Sequence, residues 1–128
     1  MTFLRLGCVG ILSAMACYGP EATGPGACIA LAVPAIVVSI TDSVSAQPRA
    51  AIASGEVQDG AYVDTLRNGV TFTGDSLRRG AAVDRPGVYT VRVRAPGYQN
   101  WQRTGVAAPS NGCLPVTAFL DARLQPVP

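Results

Sequence analysis

The sequence predicts an all-β fold: a sandwich of about seven short strands preceded by a signal peptide and a flexible tether. Three observations point there. Apolar residues recur at every second position from residue 34 onward, turn dipeptides punctuate the chain at short intervals, and no stretch carries a convincing helical period. Alternation of this kind suits a sheet with one buried and one wet face. The chain has 128 residues, 48% hydrophobic and 14% charged, which is room and apolar surface for one domain.

The first element is an address. Arg5 charges a short leading region, and residues 6–16 (LGCVGILSAMA) are apolar. Eleven such residues suit a signal peptide and fall short of the roughly 20 that span a bilayer. Ala14 and Ala16 then precede Cys17, an arrangement that resembles the lipobox of bacterial lipoproteins. The resemblance implies cleavage after residue 16, acylation of Cys17 and a hold on the membrane through lipid. Tyr18, where an Asp would imply retention at the inner membrane, implies an outer-membrane or cell-surface destination. The alternative is an ordinary secretory signal cut near Ala16, giving a secreted or periplasmic protein. A second apolar stretch, residues 28–40 ahead of Val44-Ser45-Ala46, lacks a preceding positive charge and is interrupted by Pro34. It reads as a buried first strand.

Residues 17–33 form the lipid-anchored linker, and residues 18–27 (YGPEATGPGA) hold three Gly and two Pro, the composition of a flexible tether. The domain occupies residues 34–126. In residues 35–42, Ile36, Val38 and Ile40 share one face and Ser39 and Thr41 the other. Shorter strands are expected at 51–57, 61–66, 70–73 and 77–83, bounded by Asp59-Gly60, Asn68-Gly69, Gly74-Asp75 and Pro86-Gly87. Residues 88–95 alternate cleanly, with Tyr89, Val91 and Val93 against Thr90, Arg92 and Arg94. The last strand, 114–124, sets Leu114, Val116, Ala118, Leu120, Ala122 and Leu124 opposite Thr117, Phe119, Asp121 and Arg123.

Three motifs carry a family likeness: residues 34–42 (PAIVVSITD) leading into Gln47-Pro48-Arg49-Ala50, then residues 87–93 (GVYTVRV), then Pro96-Gly97-Tyr98. Together they resemble the carboxypeptidase regulatory-like domains, a transthyretin-like group within the immunoglobulin-like sandwiches. Ser45-Ala46 stands where that family has Thr-Gly. The resemblance implies the fold and says little about function; a family name taken from an accessory domain beside a peptidase does not imply peptidase activity. Gly87 and Gly97 are expected at positive φ in turns. Pro96 should end its strand, and Tyr89 should bury its ring and anchor its hydroxyl to nearby backbone, as the tyrosine corner of sandwiches does.

Of four cysteines, Cys8 lies in the leader and Cys17 would carry lipid. Cys28 and Cys113 remain, an even pair suited to an oxidising compartment. Each precedes a terminal strand, and in many immunoglobulin-like sandwiches those strands run parallel and adjacent, which favours a disulfide over two buried thiols.

Chemistry is sparse. The chain has no His, and all ten basic residues are Arg. The commonest general base and metal ligand is therefore missing, as is any Ser–Lys dyad. Glycine spacing matches no phosphate loop and the cysteines no zinc set. The expectation is a protein that is not an enzyme and takes no cofactor or metal. A net charge of +2 with scattered charges gives no nucleic-acid footprint. Asp59, Asp64, Asp75 and Asp84 fall near turns, where they are expected to fix local backbone, with a shared calcium site as the alternative.

What remains is a surface. Arg92, Arg94, Tyr98, Trp101 and Arg103 combine residue types enriched at binding hot spots and form a candidate surface for a protein or carbohydrate ligand; the alternative is that Trp101 packs as core under its loop and the arginines are a solvated face. The functional expectation is an exported binding or structural accessory domain at the cell envelope. The alternative is an assembly subunit that pairs through exposed strand edges.

Overall fold

The computed structural model describes Cys28 and residues 31–68 and 75–128. The signal peptide, Cys17, the tether and the strand expected at 70–73 lie outside the described residues. Within the apolar stretch at residues 28–40, residues 31–33 are irregular and the chain then enters a strand at Pro34.

Seven strands are described: β1 (Pro34–Asp42), β2 (Ser54–Asp59), β3 (Tyr62–Thr65), β4 (Arg78–Val83), β5 (Gly87–Arg94), β6 (Trp101–Ala108) and β7 (Ala118–Leu124). They form a three-stranded sheet, β4-β1-β7, and a four-stranded sheet, β3-β2-β5-β6. The sandwich is what the alternation requires. Ile36, Val38, Ile40, Ala122 and Leu124 come from the first sheet; Val57, Tyr89, Val91, Val93, Val106 and Ala108 come from the second. All are buried in one core cluster. Burying such side chains contributes roughly 1.5–3 kcal/mol apiece for the larger ones.

β1 and β7 run parallel and adjacent, in register from Ile36 with Ala118 to Asp42 with Leu124. Their leading segments therefore lie together, and Cys28 and Cys113 are joined by a disulfide with Cα atoms 5.4 Å apart. β7 is shorter than its sequence pattern. Pro115 is buried and bridges to Ser110, and the Val116 amide turns to the Pro109 carbonyl, so residues 114–117 belong to a loop. Val116 is exposed rather than core-facing.

β6 is absent from the expected strands. Its residues 102–105 are all exposed, and Gly105 has a φ of 65°, beside a register shift against Tyr89 and Val91 of β5. A bulged edge strand loses the period by which strands are read.

Two hydrogen-bonded knots fix the ends of the sandwich. Around Asp42, at the end of β1, Oδ1 accepts from the amides of Val44 (2.7 Å) and Ser45 (2.9 Å). Its Oδ2 accepts from the Tyr98 hydroxyl at 2.7 Å, and that hydroxyl accepts from Arg49 Nε at 2.7 Å. Asp42, Arg49 and Tyr98, one from each of the likeness-bearing stretches at residues 34–42, 47–50 and 96–98, thus meet at one point.

The second knot surrounds Tyr89, which is 1% exposed. Its hydroxyl donates to the Arg85 carbonyl, the corner expected from the sequence. The Arg85 guanidinium then reaches Asp59 Oδ2 at 3.0 Å and lies 3.9 Å over the Tyr62 ring. Gly97 takes the expected positive φ, 82°. Gly87 has a different role, since a Cβ there would stand 2.6 Å from Asp59 Oδ2. A side chain there would have to displace the Asp59 carboxylate from the second knot.

Candidate functional site

The candidate site is a shallow cleft of about 260 Å³ lined by Arg92, Val93, Arg94, Asn100, Trp101 and Gln102. β5 supplies the first three, β6 supplies Trp101 and Gln102, and Asn100 comes from the connection between them. The connection is held by the Asp42 knot through Tyr98 and by the tail after β7. There the Gln99 amide donates to the Gln125 carbonyl at 2.8 Å, and the Val127 amide to the Gly97 carbonyl at 3.0 Å. A tight corner is thereby locked to the opposite sheet, and Asn100 and Trp101 are delivered to a fixed place.

The alternation of β5 sends Arg92 and Arg94 to the outer, polar face, while Val91 and Val93 go to the core. β2 lies alongside and contributes Glu56 and Gln58 to that face, Glu56 being the cross-strand partner of Arg92 and Gln58 of Thr90. The polar groups bond across strands. Arg94 NH1 reaches Glu56 Oε1 at 2.7 Å. Arg92 NH1 donates to Gln58 Oε1 at 3.0 Å and Arg92 Nε to Gln102 Oε1 at 3.2 Å. The Glu56 carboxyl is held below its ordinary range, first by the hydrogen bond from Arg94 and further by the charge of both arginines. Two guanidiniums against one carboxylate leave this face a net charge of one positive.

Of the five residues expected to form a surface, Arg92, Arg94 and Trp101 come together at the cleft. Tyr98 is committed to Asp42 and Arg49. Trp101 is opposite Val93 in register and packs partly against the core, so its indole belongs mainly to the inner face. Arg103, opposite Val91, places its guanidinium 5.2 Å from the Trp101 ring centroid. Such a cation–π contact covers part of the ring. The indole is a half-buried wall of the cleft, which Val93 and four polar side chains complete. Gln58, Asn100 and Gln102 were missed by sequence reasoning, because their convergence depends on cross-strand pairing with a strand that the period did not disclose.

The four turn carboxylates are spent locally. Asp59 meets Arg85 at 3.0 Å, and Asp84 accepts the Val33 amide at 2.9 Å. Asp64 accepts from Arg67 at 2.9 Å and from the Ala82 amide at 2.8 Å. Asp75 accepts from the Leu77 amide and Arg78 Nε, both at 2.7 Å. Asp64, Asp75 and Asp84 fix backbone, the role expected of turn carboxylates, while Asp59 holds a side chain. No group of three or more His, Cys, Asp or Glu side chains that could hold a metal occurs among the described residues.

A scan of known family models gave no match to the chain, and a search of curated protein sequences gave none either.

Proposed function

We propose that this chain is an exported, non-catalytic accessory domain that binds a ligand on the outer face of its four-stranded sheet. On this reading, lipid on Cys17 holds it at the cell envelope, with residues 17–33 as the tether. The cleft between β5 and β6 is the observation that carries the binding role. It combines fixed guanidiniums with outward carboxamides on a rigid sheet, and rigid placement of a few polar groups is how small-ligand specificity is built. The likeness to carboxypeptidase regulatory-like domains supports an accessory role. The meeting of Asp42, Arg49 and Tyr98 lends that likeness weight, since one structural corner joins the first and last of its three motifs. The disulfide suits an oxidising compartment.

Trp101 is the only tryptophan, so its emission reports on the cleft directly. Titration of the purified chain with envelope-type oligosaccharides and peptides is expected to give a saturable change in emission and a raised melting temperature for one of them. A flat response in both measurements across the panel removes the binding reading. Intact mass of the membrane-extracted protein tests the anchor: acylated Cys17 is expected, and an unmodified thiol rules it out.

A second reading, assembly through a strand edge, has its own support. β7 ends the three-stranded sheet, and its Phe119 is 71% exposed. Self-association that grows with concentration would favour this reading over the first.

A further inference from the structure

Arg92 differs from the arginines that the fold spends on carboxylates. Arg67, Arg78, Arg85 and Arg94 each face an Asp or Glu within 2.7–3.0 Å. Arg92 is gripped instead by the side-chain oxygens of Gln58 and Gln102. Neutral amide oxygens orient a guanidinium and leave its charge intact. Two of its five N–H groups are engaged, so three are left to donate. Gln102 gives its oxygen to Arg92, which directs its amide N–H groups elsewhere, and Asn100 stands exposed at the rim. Glu56, the carboxylate beside it on β2, is committed to Arg94. The result is a set of donors on a face of net positive charge, arranged for an oxyanion.

Shape narrows the ligand. A cleft of about 260 Å³ is just under the range of about 300–1,000 Å³ usual for drug-sized ligands, so it suits one ring rather than a chain. β5 is paired on both sides, by β2 and β6, so at the cleft an extended peptide could pair only with the outer edge of β6, on the side away from Arg92. The exposed carboxamide of Asn100, which can donate and accept, and the remaining N–H groups of Gln102, whose oxygen holds Arg92, suit hydroxyl groups.

We propose that the cleft binds an acidic sugar unit, with Arg92 receiving its carboxylate and Asn100 and Gln102 its hydroxyls. This names the ligand class for the binding role above and rests on it. Calorimetry on the full chain tests the proposal with a galacturonic acid trimer, its methyl-esterified form, N-acetylmuramic acid and a triglutamate peptide. At least one acidic sugar is expected to bind, and the esterified trimer at least about tenfold more weakly than the free acid if the trimer is the binder. Arg92→Gln should lose about tenfold in affinity with an unchanged melting temperature, and Arg92→Lys should fall between, keeping the charge and losing the fork.

Equal binding of acid and ester, tighter binding of triglutamate than of either acidic sugar, or an Arg92→Gln variant with full affinity would overturn it. So would silence from both acidic sugars. Binding of the neutral ester alone, with a Trp101 response, overturns the acidic site and leaves the binding role standing. Silence from every probe in heat, emission and melting temperature brings down both.

Discussion

Asp42 shows how much a single side chain can organise. It ends β1, caps the turn that follows through two amides, and holds the Tyr98 hydroxyl from the corner before β6. Its carboxyl is lowered to about 2 from an ordinary 3.8, first by the Ser45 amide, then by Tyr98 and the Val44 amide. A folded pKa below the unfolded one means that the unfolded chain binds the proton more readily. The stabilisation from Asp42 is therefore whole above about pH 5 and lost as pH falls through about 3.8 towards about 2. Tyr98→Phe should lower stability at neutral pH by about 1 kcal/mol, the net worth of such a hydrogen bond. It should also lose less further stability between pH 4 and pH 2 than the parent chain does, as followed by urea denaturation at each pH. Parallel losses in the two proteins would separate Tyr98 from the titration of Asp42. Ala46, within the same turn, has a φ of 61°, in the left-handed region that costs a residue with a Cβ roughly 1 kcal/mol. Ala46→Gly relieves that cost against a looser unfolded chain, so a modest gain of up to about 1 kcal/mol is expected from the denaturation midpoint.

At the scale of elements, β2 and β5 form the pair on which the cleft depends. Gly55 lets them close: a Cβ there would stand 2.4 Å from the Arg92 carbonyl oxygen and 2.6 Å from Leu66 Cδ1. Gly55→Ala must push backbone away from backbone. A loss of about 2 kcal/mol or more is expected in denaturant melts, with ligand affinity falling as Arg92 shifts. The disulfide acts on a larger loop. Its cysteines are 85 residues apart, and in the chain-entropy account closing such a loop stabilises by about 4.5 kcal/mol. Reduction should lower the melting temperature well below that of the oxidised chain, and an unmoved midpoint would show the bridge to be energetically idle. Legibility followed the same physics. β5 was readable because apolar and polar residues alternate along it, β1 because its apolar run passes into alternation at Val38, and the Tyr89 corner because its glycine and tyrosine spacing is local. β6 was not readable, since Gln102, Arg103, Thr104 and Gly105 lie on an exposed edge where burial imposes no period. Arg92 and Arg94 could be placed on the wet face from alternation alone. Their partners Glu56, Gln58 and Gln102 required knowledge of which strands are neighbours.

For the molecule as a whole, the two sheets differ in what they leave outward. The four-stranded sheet presents a cross-bonded polar face with the cleft at one end. The three-stranded sheet presents β7, where Phe119 is largely exposed and Asp121 and Arg123 have no ion-pair partner among the described residues. Parallel pairing to β1 uses the carbonyl of Leu124, which the Ser43 amide reaches at 2.9 Å, so the backbone groups of alternate residues Phe119, Asp121 and Arg123 turn to the open side. Such an edge would accept another strand, while its two unpaired charges work against indiscriminate pairing. Phe119→Asp separates the two roles considered for this protein. Lying outside the core, Phe119 contributes little to the fold, and its replacement should change stability by no more than about 0.5 kcal/mol. If β7 is an assembly edge, sedimentation velocity should show the parent chain associating as concentration rises and the variant staying a monomer with its cleft intact. A parent chain that stays monomeric across the same range assigns Phe119 no role in self-association, and leaves the outer face of the four-stranded sheet as the working surface.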